Sequence, residues 1–502
     1  MQAVNSNIHK ALLPIENAPI LYHLISDLPE DWELLILVGH KKNQVIDFLL
    51  IAFPKRTFKF IDVFDYSSPL AGTATSLKSA KPYLGSDFWY VPCDGVFGDG
   101  LHSIMQKDLQ YDTIFVAPSQ TVENPCEYAV VEVESGRARS IVYKPSNIAK
   151  FSQSIFTGLM YIRNGNDFFD RLDKHEATEF VTSLPQNINV INIDKWKDLG
   201  TPSEYRRHAM TQAGFDFSKP HEITYLLRGS VVKYFFDPKE PEHKLIKPSL
   251  NPSVYPTESK NRGQFFSYKT VNGKTLYNVV TPSAFLALLD WLSENLWNRS
   301  SQNIDKDLTD FYVNKSVARI NQISNILPYD FNNEYKLFHN ELVNPQKVID
   351  GIDWDTFTNN AAVGEIHGDL QFDNILFRPD QSFCLIDWRT SFGKQNLLGD
   401  IYYDLAKLLG GIRMNYSKIK SGDFFFCSDG NAIEFSFPAC TDSLALEAVL
   451  FEFAINNGYS VKKIENLTAL IYLNMSPMHN RPFSDLLFFH SLRLLKKSIS
   501  EY

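Results

Sequence analysis

EIHGDLQFDNILF, residues 365–377, sets His367, Asp369 and Asn374 among apolar neighbours, and FCLIDWR, residues 383–389, delivers Asp387 soon afterwards. NILF and CLID have strand-like composition and are separated by the turn residues RPDQS, so a short hairpin is expected, with Asn374 and Asp387 meeting at one end. That meeting suits a hard cation. Mg²⁺ takes oxygen ligands, usually one or two from protein, and leaves its other positions to water and nucleotide phosphates. Asp369, five positions before Asn374, is then free to orient and deprotonate an attacking hydroxyl, so the stretch holds the groups that phosphoryl transfer needs.

Around this stretch lies a chain of 502 residues, 44% hydrophobic and 21% charged, globular and too long for one core, so two or three domains are expected. A formal charge of −9 leaves no basic footprint for nucleic acid or an anionic membrane, and small molecules are the expected partners. Cys93, Cys126, Cys384, Cys427 and Cys440 are scattered, odd in number and without a CxxC pair, which speaks against a disulfide framework or a zinc site. No apolar run reaches the roughly 20 residues of a membrane span; even DSLALEAVLFEFAI is broken by Glu447 and Glu452. With no signal-peptide pattern at the N-terminus, a cytoplasmic location is expected.

Up to about residue 210, β-rich runs alternate with helical spacing: WELLILVG (32–39), NQVIDFLLIAF (43–53), FKFIDV (58–63). This favours an α/β layer with parallel strands. YAVVEVESGRARSIVYKP reads as two strands turning at Ser135-Gly136. The periodicity lapses at about 209–221, AMTQAGFDFSKPH, giving domains of 1–212 and 222–502. The second opens with a hairpin, ITYLLRGSVVKYFFD, turning at Arg228-Gly229-Ser230; its smaller lobe runs to about 280 and a helical lobe fills about 281–502. Within the smaller lobe, between the hairpin and FFSYKTVNGKTL, PKEPEHKLIKPSLNPSVYPTESKNRG (238–263) is rich in Pro and reads poorly as a helix.

The 365–377 stretch resembles the catalytic loop of the aminoglycoside phosphotransferase and choline kinase group, which shares the protein-kinase-like fold; Asp404-Leu405-Ala406 in GDIYYDLAKLL continues the match. The resemblance implies Asp369 as catalytic base, His367 as an orienting residue of the loop, and Asn374 and Asp387 as ligands of Mg²⁺. It further implies Lys233 on the α and β phosphates of ATP, and backbone groups from Tyr268 to Val271 on the adenine. Whether Glu242, Glu258 or neither pairs with Lys233 is left open.

HKALLPIENAPILYHLI (9–25) resembles the segment that follows the phosphate loop in sugar-phosphate and choline-phosphate nucleotidyltransferases. That resemblance implies Lys10 as the lysine on the nucleotide phosphates and Gly72 and Thr73, in AGTATSLKSA, as the nucleobase-side loop. Asp94 in YVPCDGVF and Asp198 in WKDLGTPSEY become metal aspartates, and Lys144 in IVYKP a second lysine; Thr157 and Gly158 follow in family order. Two carboxylates around Mg²⁺ and two lysines suit attack of a phosphomonoester on the α-phosphate of CTP or another NTP. The family opens with a strand and a Gly-rich loop, whereas this chain begins MQAVNSNIHKALLPI, so either its start lies upstream of Met1 or the domain has lost triphosphate binding.

The expected fold is therefore an α/β nucleotidyltransferase domain, Rossmann-like and lacking its first strand and Gly-rich loop, followed by an α+β protein-kinase-like domain of two lobes. The expected function is bifunctional: an ATP-dependent kinase for a small alcohol or sugar, and a transferase that couples the phosphomonoester to a nucleotide for surface polysaccharide synthesis. The alternative is an active kinase on a catalytically silent platform. Choline is the first substrate suggested by HKALL, although none of the 38 Phe and 23 Tyr can be assigned to a quaternary-ammonium cage from sequence. Trp388 either walls the acceptor site or packs under the hairpin.

Overall fold

The computed structural model describes residues 7–64, 66–68, 71–147, 153–174, 178–185, 187–209, 221–338 and 341–500. Met1, and residues 210–220 of the expected boundary, lie outside them. The chain divides into two compact units: Met1–Gln212 with Thr224–Phe236 and Arg262–Phe265, and Ala213–Ile223 with Asp237–Asn261 and Phe266–Tyr502.

In unit 1 the apolar run LLILV forms β1 (Leu34–Val38), α1 (Lys42–Ala52) crosses over, and β2 (Phe58–Asp62) pairs parallel to β1. After α2 (Thr73–Ala80) come β3 (Phe88–Tyr90), β4 (Gly95–Phe97), β5 (Thr113–Pro118), β6 (Ala129–Glu134), β7 (Arg137–Tyr143), β8 (Ser154–Ile162), α3 (Gly165–Lys174), β9 (Asn189–Asn192) and β10 (Trp196–Asp198). Six of these strands form one sheet in the order β3-β8-β5-β9-β7-β6, with β8 also reaching β6. The sheet is mixed where parallel strands were expected. β9 runs parallel to β5, but β8 is antiparallel to β3, β5 and β6, and the two-residue turn at Ser135 and Gly136, both at positive φ, makes β6 and β7 antiparallel as the sequence pattern predicts. β5 is buried from Thr113 to Ala117, as befits a central strand. Phe168, Phe169 and Leu172 of α3 pack on its sheet against Ile114, Met160 and Ile162.

The hairpin of β11 (Glu222–Leu227) and β12 (Ser230–Phe235) contributes Thr224–Phe236 to unit 1. Its tyrosines explain why. The Tyr225 hydroxyl donates to the Leu12 carbonyl at 2.7 Å, Tyr234 donates to Asn7 O at 2.9 Å, and the Tyr225 ring lies edge-on to Phe48 of α1.

Unit 2 contains α4 (Glu240–Leu250), most of β13 (Phe265–Lys269), α5 (Pro282–Asn295) and α6 (Lys315–Ile326), then β14 (Val363–Glu365), β15 (Ile375–Phe377), β16 (Phe383–Leu385) and β17 (Leu398–Asp400). It closes with α7 (Ile401–Arg413), α8 (Ser443–Asn456), α9 (Val461–Met475) and α10 (Phe483–Ser500). α7 is buried from Ile401 to Ile412, the helix around which the unit is built. The Pro-rich segment, which reads poorly as a helix, nevertheless forms α4. Pro241 sits in the first turn, where a missing N–H costs nothing, and Pro248 lies in the last turn. The carbonyl that Pro248 leaves without its helical donor, that of Lys244, accepts the Trp388 indole N–H at 3.1 Å. Trp388 is thereby a packing residue, 1% exposed against Tyr255 and Phe266. Glu258 pairs with Lys269 on the surface, and Glu242 is exposed.

Phe168→Ala, at a fully buried site in the unit 1 core, is expected to lower stability by about 3–5 kcal/mol, whereas Phe64→Ser, 77% exposed, should stay within about 0.5 kcal/mol of wild type; urea titration of the full chain followed by fluorescence measures both.

Candidate active sites

In unit 1 the register of one short strand pair builds the site. β10 runs antiparallel to β4 with Asp198 opposite Gly95, and the Leu199 N–H donates to the Asp94 carbonyl at 2.8 Å, so Asp94 and Asp198 stand side by side. They converge over Gly200. A methyl group there would lie 2.8 Å from Asp94 Oδ2 and 3.4 Å from Asp198 Oδ1, so the position needs glycine to leave the space between the carboxylates open. Lys10 begins a short 3₁₀ turn whose preceding residue, His9, accepts the Ala11 N–H on its ring, and Lys10 Nζ meets Asp94 Oδ2 at 2.6 Å. Burial disfavours the Lys10 charge, but Asp94 outweighs it and holds the ammonium above its ordinary value. Burial also raises the Asp198 carboxyl to about 6, against a 2.7 Å hydrogen bond from the Tyr128 hydroxyl that favours its ionised form, with Asp94 adding to the rise.

Lys144 joins Asp94, Asp198, Tyr128 and Glu127 around one pocket of about 360 Å³. Gly158, at φ 85°, lies in the interruption of the β8–β5 register, where its Cα approaches so close that a Cβ would touch Pro92 at 3.0 Å, two residues before Asp94. Thr157 is buried and donates to Phe115 O. The Thr73 hydroxyl donates to Glu179 at 2.5 Å, and a Cβ on Gly72 would strike the Thr178 carbonyl. Lys233 is buried on β12.

In unit 2, β15 and β16 form the hairpin expected from NILF and CLID, Ile375 opposite Leu385, and the Ile386 N–H donates to Asn374 O at 2.9 Å, which sets Asp387 next to Asn374. The Asn374 amide donates to the Asp369 carbonyl at 2.8 Å, and Lys407 of α7 meets Asp369 Oδ1 at 3.0 Å. His367, fully buried, ties the two segments together. Its Nδ1 accepts the Asp369 N–H at 3.2 Å, so Nε2 carries the proton and donates to Ile386 O at 2.9 Å. Burial, and then Lys247, push this imidazole down to about 3, which keeps it neutral. Asp387 lies at φ 62°, a left-handed conformation uncommon for a residue other than glycine.

Beneath the loop, Asp404 accepts the N–H groups of His367 and Gly368 at 2.8 Å each and the Trp297 indole N–H at 3.1 Å. Burial pushes its carboxyl up while these donors oppose the rise. From α4, Lys247 donates to Ile366 O at 2.5 Å and Lys244 to Trp388 O. Tyr268 is buried on β13, and the neighbouring Lys269 N–H is taken by Thr257 O at 3.1 Å.

Residues 3–213 match the family model for nucleotidyl transferases. They form a nucleotidyl transferase domain. Among curated relatives, the Bifunctional protein GlmU of Methanococcus aeolicus is 25% identical over 216 residues, covering 40% of this chain and 49% of that protein. The Low-salt glycan biosynthesis nucleotidyltransferase Agl11 of Haloferax volcanii is 24% identical over 212 residues, covering 39% of this chain and 57% of the relative. The chain spans about half the length of the curated relatives it matches. Among solved structures, HddC from Yersinia pseudotuberculosis is 19% identical with a TM-score of 0.32, covering 40% of this chain and 89% of that one. The inositol-1-phosphate CTP transferase from T. maritima is 15% identical with a TM-score of 0.34, covering 41% and 85%.

The nucleotidyl transferase domain holds Lys10, Asp94, Lys144 and Asp198. Among the described residues no three His, Cys, Asp or Glu side chains are arranged to hold a metal by themselves; two carboxylates converging over a glycine suit Mg²⁺, which completes its shell with substrate oxygens and water. No helix among the described residues is long and apolar enough to cross a membrane. Sequence reasoning missed Tyr128 in the transferase domain, and Lys244, Lys247 and Lys407 in unit 2. Lys407 had a signal: with Asp404 it is one of two charged residues inside the apolar helix IYYDLAKLLGGI, three positions apart and so on one face.

Replacing Asp404 by Ala leaves three buried N–H groups unanswered and is expected to destabilise unit 2 by about 3–5 kcal/mol. Asp404→Asn, which keeps one acceptor oxygen, should lose visibly less in the same urea titration.

Proposed function

We propose that the chain is a bifunctional enzyme whose unit 2 transfers the γ-phosphoryl group of ATP to a hydroxyl of a small alcohol or sugar, and whose nucleotidyl transferase domain joins the resulting phosphomonoester to a nucleotide for glycan synthesis. The observation that carries the transferase half is the β4–β10 register, which sets Asp198 beside Asp94 and within the reach of Lys10, inside the span that matches the family. In that reaction an oxygen of the phosphomonoester bonds to the α-phosphorus of the NTP as the bond to the bridging oxygen of pyrophosphate breaks. Lys10 and Lys144 hold phosphate oxygens, and Asp94 and Asp198 would hold Mg²⁺, which supplies charge neutralisation at the phosphates when bound. A relative named for glycan biosynthesis supports the destination of the product. CTP is retained as the first nucleotide to test.

For the kinase half the support is the convergence of Asp369, Asn374 and Asp387. Asp369 is positioned to receive the hydroxyl proton, its orientation held by Lys407 and by the loop that Asp404 pins. Asn374 and Asp387 are the oxygen donors suited to Mg²⁺ on the ATP phosphates.

Phosphorus NMR of the full chain with ATP, CTP, Mg²⁺ and a panel of acceptors tests both halves. A phosphomonoester should appear, then a diphosphate diester. Asp369→Ala and Asp387→Ala should each abolish the first product while the fold is kept, and retained activity in either would remove the mechanism. Asp94→Ala should stop pyrophosphate release without touching the first reaction; phosphorylation with no pyrophosphate release in wild type would mean a kinase on a silent platform.

Mg²⁺ binding to the transferase domain is expected to depend on pH. Protons compete for Asp198 once the pH falls below about 6, so affinity at this site should fall by about tenfold per pH unit there. Tyr128→Phe removes a hydrogen bond to the ionised carboxylate and should move the onset to higher pH, measured by calorimetric Mg²⁺ titration.

A further inference from the structure

Several cations lie near Asp369. Lys407 meets it at 3.0 Å, and Lys315, at the start of α6, lies with Nζ 3.8 Å from the centre of the Phe311 ring. Arg389 stands 5.4 Å from the same ring and donates through Nε to Gly368 O at 3.1 Å, one residue before Asp369. Arg319 lies one turn along α6 from Lys315, close enough for the Arg389 charge to act on it. Arg389, Lys407 and Arg319 each oppose the Lys315 charge, and Asp369 favours it. Lys315, Arg319 and Arg389 make no salt bridge among the described residues, and Arg319 is met by the neutral Gln322 at 3.0 Å.

Three cations, Lys315, Arg319 and Arg389, that have no carboxylate partner among the described residues form an arrangement that a further anion would relieve. A site for choline or an aminoglycoside, whose substrates are cations, would need the opposite charge. Resting on the kinase reading of unit 2 given above, we propose that the acceptor is an anionic polyol: a sugar or similar alcohol that already carries a phosphate or carboxylate, which Lys315, Arg319 and Arg389 bind while a hydroxyl of the same molecule faces Asp369. The hydroxyl oxygen bonds to the γ-phosphorus, the bond from that phosphorus to the bridging oxygen of ADP breaks, the hydroxyl proton passes to Asp369, and ADP departs with the electron pair. Lys407 is a positioning residue that acts through Asp369. With a phosphorylated sugar the product is a bisphosphate, one phosphate held over from the acceptor and one newly added.

The test uses the full chain with inorganic phosphate, glucose 6-phosphate, glucuronate, glucose and choline as probes. Calorimetric titration with inorganic phosphate should show binding to wild type that is weakened about tenfold or more in Lys315→Gln and separately in Arg319→Gln, the equivalent of one lost charge-assisted contact. Both side chains are half-exposed, so both variants are expected to fold. In phosphoryl transfer from ATP, an anionic sugar should exceed glucose and choline by about tenfold or more in kcat/KM, and the variants should raise its KM while leaving the KM for ATP unchanged. Glucose 6-phosphate preferred over glucuronate identifies a phosphate as the anion, and the reverse a carboxylate. Absence of phosphate binding in wild type, or equal binding in wild type and both variants, would overturn the proposal, as would a preference for choline or glucose that the variants do not alter; in those cases ATP-dependent phosphorylation that requires Asp387 leaves the kinase reading standing. Failure of the kinase reading has its own signature: ATP binding that is absent, or indifferent to Asp387→Ala.

Discussion

Two carboxylates held side by side and partly out of water repel each other, and the transferase domain is arranged around making that pair tolerable. The β4–β10 pairing creates it, Gly200 leaves the space between the two groups open, and Lys10 and Tyr128 each stabilise one carboxylate. Asp198 shows the cost: burial first, and then the charge of Asp94, keep its carboxyl high despite the Tyr128 hydrogen bond. Such a pair is a poor structural device and a good cation trap, because a divalent ion relieves the repulsion that the backbone register imposes.

Unit 2 solves a different problem, that of keeping an irregular loop in one conformation. Its polar backbone cannot be satisfied by a ladder, so buried charges take over. Asp404 answers two loop N–H groups from below, and Lys247 and Lys244 answer carbonyls from α4. Buried charges of this kind add little net stability, but removing one leaves its partners exposed to a low-dielectric interior, which makes the arrangement specific. Neutral His367 completes it by bonding both the Asp369 backbone and the strand end before Asp387.

The two proposed reactions are chemically consecutive, since the phosphomonoester made by the first is the attacking group of the second. Under the proposed kinase reading, the cations around Asp369 add a restriction on the acceptor that the loop motif alone does not carry, set by the side chains that the neighbouring elements present.

Much of this was legible along the chain. The strands LLILV and FKFID, the helix between them, the Ser135-Gly136 turn and the 375–385 hairpin are local, set by apolar periodicity and turn chemistry within a few residues. Asn374 and Asp387 could be paired because they flank the two strands of one hairpin, whereas Asp94 and Asp198 could be named only through the family resemblance. What the sequence could not contain is the partner of each group. The mixed sheet follows from β8 pairing with strands far away in sequence, α4 forms through a proline because Trp388, more than a hundred residues later, supplies the missing donor, and the hairpin at Thr224–Phe236 joins unit 1 through tyrosines that reach Asn7 and Leu12. Local preference determines which elements form, since it depends on neighbours a turn or a strand away; satisfaction of buried polar groups and charges determines which elements meet, and only the tertiary structure decides that.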